Sequence, residues 1–247
     1  MELTEPLRFD HPDRREIYEY VESRGTVDAE QVRRALGMEQ HPFGHHLVIL
    51  RRKGMVTREA DELRIAYEDT ETHSYETAQA EFTIRQARQE DLDGLVGAIR
   101  AAIGSGEYVD AETVADIVDS EGVIMRHNDV ESRIFFVATV GGDVVGWVHL
   151  ERPETTKLSH TAELTVGVLA QYRGQGIGSR LLERGTEWAA QRGTEKLYNS
   201  VPSTNEAAIE FLEAHGWETE AVRADHYKLG DEYADEVMLA RELHSNN

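Results

Sequence analysis

Thr161-Ala-Glu-Leu-Thr-Val-Gly-Val-Leu-Ala-Gln-Tyr-Arg-Gly-Gln-Gly-Ile-Gly-Ser-Arg-Leu-Leu182 is an apolar strand pattern running into three glycines in five residues, Gly174, Gly176 and Gly178. A helical pattern follows at once, through Leu181, Leu182, Trp188 and Ala189. The first turn of a helix has unpaired N–H donors and the positive end of the dipole, and glycine lets an anion approach the backbone. The stretch therefore reads as an anion cradle, and its spacing limits which one. A nucleoside triphosphate loop needs G-x-x-x-x-G-K-[ST], and no lysine stands here. A dinucleotide fingerprint needs G-x-G-x-x-G, whose third glycine would fall on Ser179 or Leu181. Neither fits.

What remains is Arg173-x-x-Gly176-x-Gly178, preceded by Val168 and followed by an amphipathic helix. It resembles the acetyl-CoA motif of the GNAT N-acetyltransferases. Ser203-Thr-Asn205-Glu-Ala-Ala-Ile-Glu-Phe-Leu-Glu-Ala-His-Gly216-Trp217 resembles that family's next helix, and Glu232 to Leu243 its last strand. From Phe82 onward the order of elements matches, about two thirds of the chain. The resemblance implies an α/β fold with a mixed, largely antiparallel sheet flanked by helices, and acetyl-CoA as acyl donor without a metal. It implies that the backbone of Arg173, Gly174, Gln175, Gly176, Ile177, Gly178 and Ser179 cradles the pyrophosphate. Val166, Gly167 and Val168 would pair with the pantetheine arm, with the Val168 N–H polarising the thioester carbonyl. Asn205 matches a residue that hydrogen-bonds the pantetheine, although Ser203-x-x-Glu206 also reads as a helix-capping box.

Such chemistry needs a base to deprotonate an ammonium. Glu163 lies in the strand before the cofactor segment, where many members of the family carry a catalytic glutamate, and burial at a cleft edge would raise its pKa toward the working pH. His149 and His160 are second choices. Many relatives place a tyrosine seven residues after the Asn to reprotonate the leaving thiolate; here that position is Leu212. Either another phenol serves, Tyr227 and Tyr233 being the nearest in sequence and Tyr227 the candidate acid, or the thiolate leaves unassisted. The acceptor would be a primary amine: a small molecule, a protein N-terminus or a lysine. Its selection is expected from the segment Gly104–Asn128 and the loop Arg152–His160. The alternative is a DNA-binding regulator whose GNAT-like domain senses acyl-CoA with little or no turnover.

Charge bounds the partners. The 247 residues hold 47 acidic and 26 basic side chains, a net of −21, which argues against broad affinity for nucleic acid or anionic lipid. Only Lys53, Lys157, Lys196 and Lys228 are lysines, and the acids are spread along the chain, a surface that suggests a halophilic protein. There is no cysteine, so thiolate catalysis and cysteine zinc sites are excluded. Met1-Glu-Leu-Thr-Glu-Pro6 lacks the basic and apolar regions of a signal peptide, and no apolar run approaches a membrane span. A cytoplasmic protein is expected.

Residues 70–81 show no apolar periodicity and read as a linker between residues 1–69 and 82–247. Before it, Asp13–Ser23 and Ala29–Leu36 read as helices closed by Gly25 and Gly37. A third helix opens around Pro42 and ends at Gly54, and Met55–Tyr67 alternates as a hairpin. Three helices and a hairpin of this size resemble a winged helix-turn-helix domain, a small α+β unit. Its third helix carries His45, His46, Arg51, Arg52 and Lys53, which could meet DNA. Residues 1–80, however, hold 11 basic and 17 acidic side chains, so an interaction module, including one that forms a homodimer, is favoured over DNA binding. His41 and His45 have a spacing that can share a metal, but Pro42 lies between them and no third ligand is evident. They read as solvated.

Overall fold

The computed structural model describes residues 7–66, 71–77, 81–103 and 109–243. The N-terminal part builds in the order α1 (Pro12–Glu22), β1 (Thr26–Asp28), α2 (Ala29–Ala35), α3 (Gln40–Arg52), β2 (Val56–Glu59) and β3 (Glu62–Ile65). Local chemistry sets these boundaries. His11 caps α1, its Nδ1 accepting from the Asp13 N–H at 3.2 Å, and Pro12 takes a first-turn position where no donor is needed. Asp28 caps α2 through the Gln31 N–H at 2.9 Å. The three strands pair in the order β1-β3-β2, all antiparallel. Ile17, Tyr18 and Val21 of α1 bury against Leu47 and Leu50 of α3 and Leu63 of β3.

A second sheet follows, formed by β4 (His73–Glu76), β5 (Glu81–Gln86), β6 (Arg126–His127), β7 (Glu131–Val140), β8 (Asp143–Pro153), β9 (Thr161–Val168), β10 (Lys196–Pro202), β11 (Glu218–Leu229) and β12 (Glu232–Glu242). Its order is β11-β12-β10-β9-β8-β7-β5-β4, with β6 also on β7. Among the described strands β9 and β10 are the parallel pair; the others are antiparallel. Helices α4 (Leu92–Ile103) and α5 (Val109–Glu121) cover one face, and α6 (Ile177–Gln191) and α7 (Glu206–Ala214) the other. β7 shows why: Phe135 and Val137 join the α4–α5 core, while Ile134, Phe136 and Ala138 join the α6 core. That alternation follows from the two-residue period of a strand.

The expected linker is partly a strand. Residues 73–76 pair with β5, and Tyr75 stacks on Phe82 with centroids 5.1 Å apart. The composition hides this because an edge strand facing solvent needs no apolar alternation; residues 70 and 78–80 lie outside the described part. The two units are also bound to each other. Glu22, buried at the end of α1, accepts from the His127 N–H (3.2 Å), Asn128 Nδ2 (3.1 Å) and Arg126 Nη1 (3.0 Å). Tyr18 donates to the His127 carbonyl at 3.0 Å, and Arg15 pairs with Asp129 at 2.6 Å. A buried carboxylate is tolerable only when its lone pairs are met, and here three donors meet them. Among the described residues, no helix is long and apolar enough to cross a membrane.

Candidate active site

The parallel ladder between β9 and β10 runs only from Thr161↔Lys196 to Glu163↔Tyr198. Beyond it the strands part, and the Asn199 side chain bridges the fork by donating to the Leu164 carbonyl. The β8–β9 pairing continues to Val168. Because Leu169 N–H points to Val145 of β8 (2.9 Å), the alternation of an antiparallel ladder turns the amides of Val168 and Val166 the other way, into the fork. Gly167 faces β8 instead. Its contribution is space, because a Cβ there would lie 2.3 Å from the Trp147 ring. Gly167→Ala is therefore expected to cost about 1–3 kcal/mol in denaturant unfolding, the range for overpacking a filled core. A midpoint within error of wild type would show that Trp147 can move.

After β9 the chain turns through Gly174 (φ 74°) and Gly176 (φ 81°, the N-cap of α6), left-handed backbone that favours glycine. Arg173 folds back so that its Nε donates to the Val168 carbonyl at 3.0 Å, fixing the loop on the strand. The His215 ring lies beneath the first turn of α6. A carbonyl can only accept, so His215 Nδ1 carries the proton given to Phe211 O (2.7 Å), and in the neutral ring Nε2 accepts from the Ser179 hydroxyl at 3.0 Å. Fork, loop and helix start surround a cavity of about 470 Å³. Val166, Gly167, Val168, Arg173, Gly174, Gly176, Gly178, Ser179 and Asn205 line it. Gln175 and Ile177 do not present side chains to it: Gln175 bonds the Gln171 carbonyl at 3.2 Å, and Ile177 is buried in the core. Asn205 both lines the cavity and caps α7 through the Ala208 N–H at 3.2 Å, a role the sequence pattern gives to Ser203. Leu212 supplies an apolar wall.

Two carboxylates stand near the cavity in different settings. Glu163 is exposed and outside the cavity wall, at the point where the fork begins. Asp110, in the first turn of α5, is in the wall. Burial, with the charges of Glu163 and Glu236 beside it, raises the Asp110 carboxyl to about 6. Tyr227 is buried on β11 with its hydroxyl 3.5 Å from Asp110 Oδ1, and burial next to that carboxylate holds its phenol above the usual range. Tyr233 is exposed and makes no such contact. His149 is buried in the core, its ring 4.6 Å from Phe135, and burial lowers it to about 3; His160 is exposed. Sequence reasoning missed Asp110 because it lies 53 residues before Glu163 in a segment without a recognisable motif. Residues 104–108 of that segment lie outside the described part.

A strand fork, a glycine turn at a helix start and an acidic group thus meet at one cavity. The chain belongs to the acetyltransferase (GNAT) family, whose model matches residues 57–217. It is 27% identical over 166 residues to YwnH of Bacillus subtilis, provisionally named a phosphinothricin acetyltransferase, covering 65% of this chain and 99% of that protein. It is 28% identical over 175 residues to an N-alpha-acetyltransferase of Sulfurisphaera tokodaii, covering 66% of this chain and 94% of the other. The fold is shared with yncA of Salmonella typhimurium, solved with its cofactor acetyl-CoA (TM-score 0.54, 18% identity, 67% of this chain and 96% of that one). The protein is an N-acetyltransferase of this family, which uses acetyl-CoA.

Proposed function

We propose that the protein transfers an acetyl group from acetyl-CoA to a primary amine drawn to the carboxylates of Asp110, Glu163 and Glu236. One observation carries this reading: a carboxyl group raised to about 6 shares a cavity wall with the amides of Val166, Val168 and the Gly174–Ser179 turn. The residues suit the donor. Open space lies where a Cβ would stand at Gly174 and Gly176, so backbone donors there are accessible to phosphate oxygens. Acetyl-CoA, when bound, supplies the activated acyl group.

In the proposed reaction one ammonium proton leaves to solvent, and Asp110 takes the second as nitrogen bonds to the acyl carbon. The C–S bond breaks as sulfur takes a proton from Tyr227, and Asp110 returns its own proton to the phenolate across their contact. The Val168 N–H faces the fork, where it would stabilise charge on the acyl oxygen. Glu163 acts through its field on Asp110. Glu163→Gln is accordingly expected to lower kcat less than tenfold, with the acidic limb of its pH profile moved down because one neighbouring charge is lost. A loss of a hundredfold or more in initial-rate assays would return the base to Glu163.

For the N-terminal unit, we infer a winged-helix-like module that serves protein contact. The element order and the β1-β3-β2 sheet support this. His46 is buried between α1 and α3, so it is not among the side chains α3 can offer to DNA; His45, Arg51 and Arg52 are exposed.

A further inference from the structure

The same burial places His46 in a cluster with His11 and Asp13, remote from the acetyl-transfer cavity. His46 Nε2 lies 3.3 Å from Asp13 Oδ2, His11 Nδ1 lies 3.5 Å from Asp13 Oδ1, and the two imidazole centroids are 4.5 Å apart. All three donor atoms fall within 4.8 Å of one another. Zinc bound tetrahedrally at about 2.0–2.1 Å sets its donors about 3.3 Å apart. The His46 Nε2 to Asp13 Oδ2 separation already has that value, and rotation of the partly exposed His11 and Asp13 side chains would bring His11 Nδ1 to the same distance. From these residues we propose a divalent transition-metal site, with His11, Asp13 and His46 as ligands and water in the fourth position. Two imidazoles and one carboxylate suit Zn²⁺ or Co²⁺ and disfavour Ca²⁺ and Mg²⁺, which take oxygen shells.

The cluster has a metal-free arrangement that the ion would replace. Arg14 Nε donates to His46 Nδ1 at 3.3 Å, so the ring proton stands on Nε2, facing Asp13. Metal at Nε2 moves that proton to Nδ1 and releases Arg14, which retains its ion pair with Asp10. The position gives the ion a role. His11 stands at the N-terminus of α1 and His46 sits within α3, so an ion that takes the His11 Nδ1 lone pair from the Asp13 N–H would clasp the two helices in place of that cap. α1 is also the helix whose Arg15, Tyr18 and Glu22 grip the acetyltransferase unit. Metal loading would then stiffen the joint between the two units.

The test uses the full chain, stripped with chelator and titrated with Co²⁺ alone at pH 7.5. Expected are one ion per chain, the visible absorption of a four-coordinate site, and a melting temperature that rises with Co²⁺ or Zn²⁺ concentration. His11→Ala and Asp13→Asn, both at accessible side chains, should each weaken binding at least tenfold with an unchanged circular dichroism spectrum. The conservative His46→Gln serves as a third variant if it folds. No binding by the wild-type chain, or binding unchanged in both accessible variants, would overturn the proposal; the latter would place the ion on other histidines of the surface.

Discussion

Asp110→Asn is expected to lower kcat by about 10²–10³-fold at pH 8, within the range for removing a positioned general base, while the KM for acetyl-CoA stays within a few-fold. The argument rests on place and protonation together. Asp110 is the acidic side chain in the cavity wall, and burial with two acidic neighbours raises its carboxyl to about 6. A base works ionised, so the wild-type rate should rise with pH through about 6 and level off above it. In the Asn variant that limb should vanish along with most of the rate. Stability moves the opposite way. A carboxyl whose folded pKa lies above its unfolded value of 3.8 contributes stability that is complete below that value and lost as pH rises through about 6. Asp110→Asn should therefore melt higher than wild type at pH 8, with the gain shrinking as the pH falls to 4. A variant that keeps the limb near 6 would remove Asp110 from the mechanism.

Gly178→Asp should raise the KM for acetyl-CoA by about a hundredfold or more and leave the fold intact. A Cβ at Gly178 would meet Phe211 and Val168 at 3.5–3.6 Å, which is ordinary contact. The added carboxylate would occupy the first turn of α6, where a negative charge is favourable for the free helix. It would take the amides that the phosphate needs. Losing two hydrogen bonds to a charged group, each worth roughly 1.5–3 kcal/mol, costs at least about a hundredfold in affinity. Gly178→Ala is the control, adding the carbon without the charge. Equal KM values for wild type and the aspartate variant would mean that the donor is not held at this turn.

The parts of the site that a reader of the sequence can find are those built from neighbours along the chain. Gly174, Gly176 and Gly178 sit between one strand and one helix, and the positive φ values and open surroundings of the first two follow from local chemistry. Asp110 and Tyr227 are 117 residues apart, joined only because α5 and β11 meet over the fork. Glu163 shows a finer limit. It shares a strand face with Thr165 and Gly167, but alternation carries no information on depth, and this residue is exposed. The His11–Asp13–His46 cluster was hidden for the same reason as Asp110: its third member arrives from another helix. At β4 the missing signal was apolar periodicity, and only Tyr75, stacked on Phe82, hints at packing.

The most direct test of the acetyl-transfer account is release of free CoA thiol from acetyl-CoA across a panel of primary amines, with Asp110→Asn run beside the wild type. The panel would hold small metabolite amines, peptides with free N-termini and lysine peptides. The account predicts amine-dependent thiol release by the wild type with at least one class, and loss of nearly all of it in the variant. Tight acetyl-CoA binding without release on any amine, or an unchanged rate in Asp110→Asn, would contradict it.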